Sequence, residues 1–190
     1  RHMLVAILEQ RVTQPEAFDA LSWIVRRYGE SAPLSGNPAQ PPYLRIYPTA
    51  QVLATIPSWD WHRARVDSAR YSTVYRFTQR ADALKRLGAT GRIAHLAAAL
   101  DDIPGVGPWS VAETLQGFCG HPDAVSVGDY HLAHTVGFAF TGERTDDAGM
   151  LRLLAPYAGH RQRVVRLIQE AGIHKPRYGA RMSIPDYRDF

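Results

Sequence analysis

The run Ile103-Pro104-Gly105-Val106-Gly107-Pro108 joins two helical stretches, and its glycines leave backbone N–H groups uncovered where the second stretch begins. Uncovered amides at the positive end of a helix suit a phosphate. Trp109 and Ser110 follow the turn at once, and Glu113 lies four residues after the tryptophan, one helical turn further along the same face. Twenty residues beyond Trp109 stands Asp129, in the segment Val-Ser-Val-Gly-Asp-Tyr. A carboxylate stabilises developing positive charge and orients or deprotonates a water. An indole offers a flat, electron-rich face that attracts a cation by roughly 0.5–2 kcal/mol. Each residue also has a plainer reading. Asp is a favoured helix N-cap, tryptophan packs cores, and Glu113 suits an ion pair with one of the many arginines.

The elements that must position these residues read as helices throughout. An Ala/Leu-rich run from Arg92 to Leu100 precedes the turn, Trp109 opens the next helix, and the spacing predicts a further helix from Tyr130 to Val136. The first pair makes a helix-hairpin-helix. Upstream, helices are expected over Leu4–Val12, over Glu16–Tyr28 behind a Thr13 cap with Pro15, and over Asp67–Leu87, broken by Gly88 and Gly91. Shorter ones begin near Thr49 and Pro57. Downstream, Asp146–Leu154 and Arg161–Ala171 carry helical spacing. Between Gly29 and Pro48 five prolines and two glycines predict a mobile loop, and the tail from Lys175 to Phe190 is expected to wrap the surface.

Leu-x-x-Ile-Pro-Gly-Val-Gly-Pro-Trp followed by Gly-Asp-Tyr resembles the helix-hairpin-helix DNA glycosylase superfamily, nearest to bacterial 3-methyladenine DNA glycosylase II. The resemblance runs from about Leu4 to about Leu167. It implies an all-α fold of two helical lobes with a cleft between them. One lobe would combine roughly residues 1–30 and 145–190, and the hairpin-bearing lobe roughly 45–140. It also implies an enzyme that flips a damaged base out of duplex DNA and hydrolyses its N-glycosyl bond.

In that resemblance Asp129 is the catalytic carboxylate, and Trp109, Glu113 and Tyr130 line the base pocket. Gly105, Val106, Gly107 and Ser110 meet the DNA backbone, joined by Arg161 at another helix start. Gln10 or Arg11 fills the gap that the flipped base leaves. Members that also cleave the backbone carry an amine nucleophile where Trp109 stands. The only lysines, Lys85 and Lys175, lie outside the motif, so the implied enzyme leaves an abasic site and has no lyase step. An aromatic residue often stands at the position of Glu113 in the nearest relatives. The lesion expected from the resemblance is an alkylated base, and the departure at Glu113 leaves a deaminated or an oxidised base as the alternative. A non-catalytic helix-hairpin-helix clamp is the alternative from another class.

Composition sets the outer limits. The 190 residues are 45% hydrophobic, and Lys+Arg exceed Asp+Glu by four with a pI near 9.4, a mild pull toward polyanions. A single cysteine, Cys119, excludes an internal disulfide and a four-cysteine iron–sulfur cluster. No His-Glu-x-x-His pattern points to a metal. The expectation is a monomeric cytoplasmic, nucleoid-associated protein without a cofactor, apart from a structural monovalent cation at the hairpin when DNA is bound. Relatives often carry a further N-terminal domain, and this chain is expected to lack it.

Overall fold

The computed structural model describes residues 1–33, 41 and 43–173. The tail from Lys175, with that lysine, lies outside the described residues, as does the middle of the proline-rich loop. The helices are α1 (His2–Leu8), α2 (Gln14–Tyr28), α3 (Ala50–Thr55), α4 (Ser58–Arg63), α5 (Ser68–Ala89), α6 (Ile93–Asp101), α7 (Pro108–Cys119), α8 (Leu132–Thr141), α9 (Asp147–Leu154) and α10 (Arg161–Glu170). Among the described residues the extended backbone forms one isolated antiparallel bridge, Ser31 with Arg45, and no sheet. The architecture is all-α, as the periodicity predicts. No helix among the described residues is long and apolar enough to cross a membrane.

Local chemistry explains the boundaries. Thr13 and Glu16 form a reciprocal capping box at the start of α2, with proline in its first turn. Gly88 does not break α5 as expected: the helix absorbs it and ends at Ala89, and Gly91 makes the turn at φ +66°. α1 stops at Leu8, short of the expected Val12, because Arg11 adopts a left-handed φ of +58°.

The chain forms two compact units. The first spans Met3–Gly105 and the second runs from Val106 through the last described residue, 173. The boundary falls inside the hairpin turn, so α6 closes one unit and α7 opens the other. Helices α1 and α2 cluster with α3–α6. Hydrogen bonds explain the grouping. Buried Arg70 on α5 donates to Leu8 O at the end of α1 (2.9 Å), and Tyr28 and Arg27 of α2 both donate to Asp60 on α4. In the second unit Val125, Leu132, Val136, Met150, Leu154 and Val165 belong to one buried apolar core.

Candidate functional site

Asp129 is held by three donors. Its Oδ1 accepts the backbone N–H groups of His131 and Leu132, both at 2.8 Å, and its Oδ2 accepts the Trp109 indole Nε1–H at 3.2 Å. The capping reading holds: one oxygen takes the amides that open α8, while the other accepts from the indole. α8 begins at Leu132 rather than Tyr130, because the Asp129 carboxylate closes a turn over the two intervening residues. Gly128, immediately before, has φ +88°, and its N–H donates to Asp147 Oδ2 at 3.1 Å. A left-handed residue there turns the chain so that the next side chain swings toward α7.

α7 carries the rest. Trp109 is half-buried in the first turn, and Glu113 sits half-buried one turn on. Glu113 does not form the arginine ion pair that was the plain reading: among the described residues its partner is Ser126, whose hydroxyl donates to Oε1. Burial pushes the Glu113 carboxyl above the ordinary range, the Ser126 bond pulls it back, and the charge of Asp129 raises it further. Behind Ser126, which is 3% exposed, a polar chain continues through Gln116 to Gln162 on α10. Sequence reasoning missed these residues. Gln116 was findable, since it follows Glu113 by three on one helical face, but Ser126 and Gln162 carry no such signal.

The hairpin turn is braced from within the first unit. Arg80 donates to Asp102 (2.7 Å to Oδ2), Arg76 to Pro104 O (3.2 Å), and the Gln10 side chain to Gly105 O (3.0 Å). Gly105 has φ +96°, and a Cβ there would lie 2.1 Å from Thr73 Oγ1, so only glycine fits. Gly107 is under no such constraint. Its φ of −126° is ordinary extended backbone, and a Cβ on it would meet nothing within 4 Å. Its use is bareness at the N-cap of α7, with Val106 half-buried beside it. Ser110 is 2% exposed, so its hydroxyl belongs to the packing of its unit rather than to an outer face.

Four further candidates have surroundings of their own. Tyr130 is 85% exposed, with its ring edge-on to His131 at 4.7 Å, and so lies on the surface of its own unit. Arg161 was expected at a phosphate, but Asp123 occupies it: Oδ1 accepts the Arg161 N–H (2.9 Å) and Nε (2.8 Å), and Oδ2 meets Nη2. The same carboxylate takes Gly159 N–H, so the start of α10 is already capped by an anion of the chain itself. Arg161 holds Asp123 well below the usual carboxylate range, which marks a committed ion pair. Gln10 is engaged at Gly105 O, whereas Arg11 is exposed in its left-handed conformation. Among the described residues no cluster of three or more metal-capable side chains occurs.

No family model matches the chain, and no curated protein matches it. Solved structures do. A 3-methyladenine DNA-glycosylase from Archaeoglobus fulgidus superposes with a TM-score of 0.66 at 16% identity, over 88% of this chain and 56% of that one. A DNA-3-methyladenine glycosidase from Bacillus halodurans gives 0.64 at 17% identity, over 88% and 72%. The Clostridium acetobutylicum 8-oxoguanine glycosylase/lyase, in complex with duplex DNA, gives 0.63 at 14% identity, over 90% and 59%. The chain thus spans a little over half the length of two of these proteins. At such identities the likeness is one of fold: this chain has the all-α fold found in helix-hairpin-helix DNA glycosylases.

Proposed function

We propose that the chain is a monofunctional DNA N-glycosylase, which binds duplex DNA, extrudes a damaged base and leaves an abasic site. The observation that carries the reading is the contact between the Trp109 indole and the Asp129 carboxylate. Rupture of the bond from C1′ to the base leaves positive charge on the sugar, which a fixed carboxylate stabilises while it orients the attacking water. The tryptophan beside it supplies a stacking face and no amine. A lyase step needs an amine nucleophile, and Lys85 is an exposed residue paired with Asp82 on α5.

In this reading Gly107 and the first amides of α7 meet a phosphate, and Arg11 is the better wedge, since Gln10 is spent on the turn. A monovalent cation bridging turn carbonyls to a phosphate remains part of the proposal. The carbonyls of Asp102, Pro104 and Gly105 already accept side-chain donors, so that ion would rely chiefly on others of the turn. A monomer acting on nucleoid DNA in the cytoplasm completes the picture. A non-catalytic clamp is disfavoured because it has no use for a carboxylate locked against an aromatic ring. Incubation with duplexes carrying single lesions, followed by alkali, tests the proposal. Alkali-dependent strand scission at a lesion supports it, and binding with no base release from any lesion supports the clamp.

A further inference from the structure

Glu113 has no part in the scheme above, yet its surroundings determine which of its oxygens is free. Gln162 Nε2 donates to Gln116 Oε1 (2.8 Å), and Gln116 Nε2 donates in turn to Ala124 O (2.9 Å) and Ser126 Oγ (2.8 Å). Having accepted from Gln116, Ser126 has its one hydroxyl proton left for Glu113 Oε1. The chain of donors is therefore directed, and it ends on that oxygen. While Ser126 donates to it Oε1 is an acceptor, so a proton on this carboxyl then sits on Oε2, which has no hydrogen-bond partner among the described residues. Glu113 shares its helix face with Trp109 one turn earlier, and Trp109 in turn touches Asp129.

We propose, on the basis of the glycosylase reading, that Glu113 is the general acid of this site: its Oε2 proton goes to a ring nitrogen of an uncharged damaged purine as that base leaves. The bond from C1′ to N9 breaks with its electron pair passing to the base, and the Glu113 proton neutralises that pair's charge through a ring-nitrogen lone pair. Water adds to C1′, its proton passes by way of Asp129 to solvent, and solvent reprotonates Glu113. A cationic alkylated purine needs no such help, because it already departs as a neutral molecule. The acid thus selects for neutral lesions. Its environment agrees with the role. Burial and the Asp129 charge both favour the neutral carboxyl, and the other facing groups, Ser126, Gln116 and Gln162, are uncharged.

The test compares single-turnover release of hypoxanthine, a neutral lesion, with release of 7-methylguanine, a cationic one, across pH. The expected hypoxanthine rate falls as pH rises through the Glu113 ionisation, and the 7-methylguanine rate lacks that limb. Glu113→Gln should slow hypoxanthine release about 100-fold, the scale of a lost general acid, and at least tenfold more than 7-methylguanine release. Ser126→Ala, which removes the donor that favours the ionised form, should move the limb to higher pH. Equal losses on both lesions, a missing limb, or a Glu113 carboxyl that titrates in the ordinary range by carbon NMR would each overturn the assignment. Release of 7-methylguanine alone by the unaltered chain overturns it while the glycosylase reading stands. Release of neither overturns it, and the glycosylase reading falls with it only if no other single-lesion duplex releases its base.

Discussion

At the scale of single residues the proposed chemistry rests on Asp129, whose Oδ1 builds a helix start and whose Oδ2 faces Trp109. Asp129→Asn keeps an oxygen for the two amides, so the fold should survive. It removes charge that matters only in the transition state, and base release should drop about 100-fold or more with DNA affinity unchanged or raised. Single-turnover excision beside a binding titration checks this, and turnover within tenfold of the unaltered chain would sink the catalytic assignment. In the proposed reading Trp109 sets the reaction type. Borohydride should trap no covalent complex with the unaltered chain, whereas Trp109→Lys should give a weak adduct, its amine untuned and its stacking face gone. An adduct on the unaltered chain would end the monofunctional reading.

At the scale of elements, the hairpin and α10 behave differently from their composition. Gly105 and Gly107 look alike in sequence but are bound by different constraints. Gly105→Ala forces a Cβ into left-handed backbone and onto Thr73 Oγ1, and should cost about 2 kcal/mol. Gly107→Ala should stay within about 0.5 kcal/mol by thermal melting, because the space around it is open. Gly107→Asp should then fold and yet weaken binding to every duplex alike, since it sets an anion before the amides of α7. Loss confined to lesion-bearing DNA would count against a phosphate contact. On α10, Asp123→Ala strips the helix start of its cap and Arg161 of its partner, and should destabilise by about 2 kcal/mol at neutral pH. An unchanged melting temperature would return Arg161 to the candidates for DNA contact.

For the molecule as a whole, titration links the site to stability. Asp60 is held below its ordinary range chiefly by Tyr28, and Asp123 chiefly by Arg161. Asp67 is lowered on balance, the bonds from Arg70 outweighing burial. A carboxyl depressed in the folded state stabilises above its unfolded pKa and loses that contribution as pH falls through the folded one. Melting temperature should therefore decline once pH drops below about 4. Glu113 works in the opposite direction. Raised in the folded state, it contributes stability at acid pH that disappears as pH rises through its ionisation. Glu113→Gln should melt higher than the unaltered chain on the alkaline side of that ionisation, with the gap narrowing toward acid pH. A constant gap across pH would show that the carboxyl stays unperturbed.

Much of this was legible in the chain order. Helical periodicity, the Thr13–Glu16 box and the glycine-proline turn are local signals, and local signals survive folding because the groups involved are within a few residues of one another. The spacing from Trp109 to Asp129 also identified the pair before any contact was visible. Tertiary structure decided what each side chain spends its hydrogen bonds on. Arg161 could not be known to answer to Asp123, thirty-eight residues earlier, nor Gln10 to Gly105, ninety-five residues later. Glu113 looked equally ready for an arginine or a base pocket, until a buried serine, a glutamine on its own helix and another from α10 fixed one of its oxygens and left the other free. Residue type sets what a polar group is able to do, but desolvation obliges it to find a partner, and only packing determines which partner is within reach.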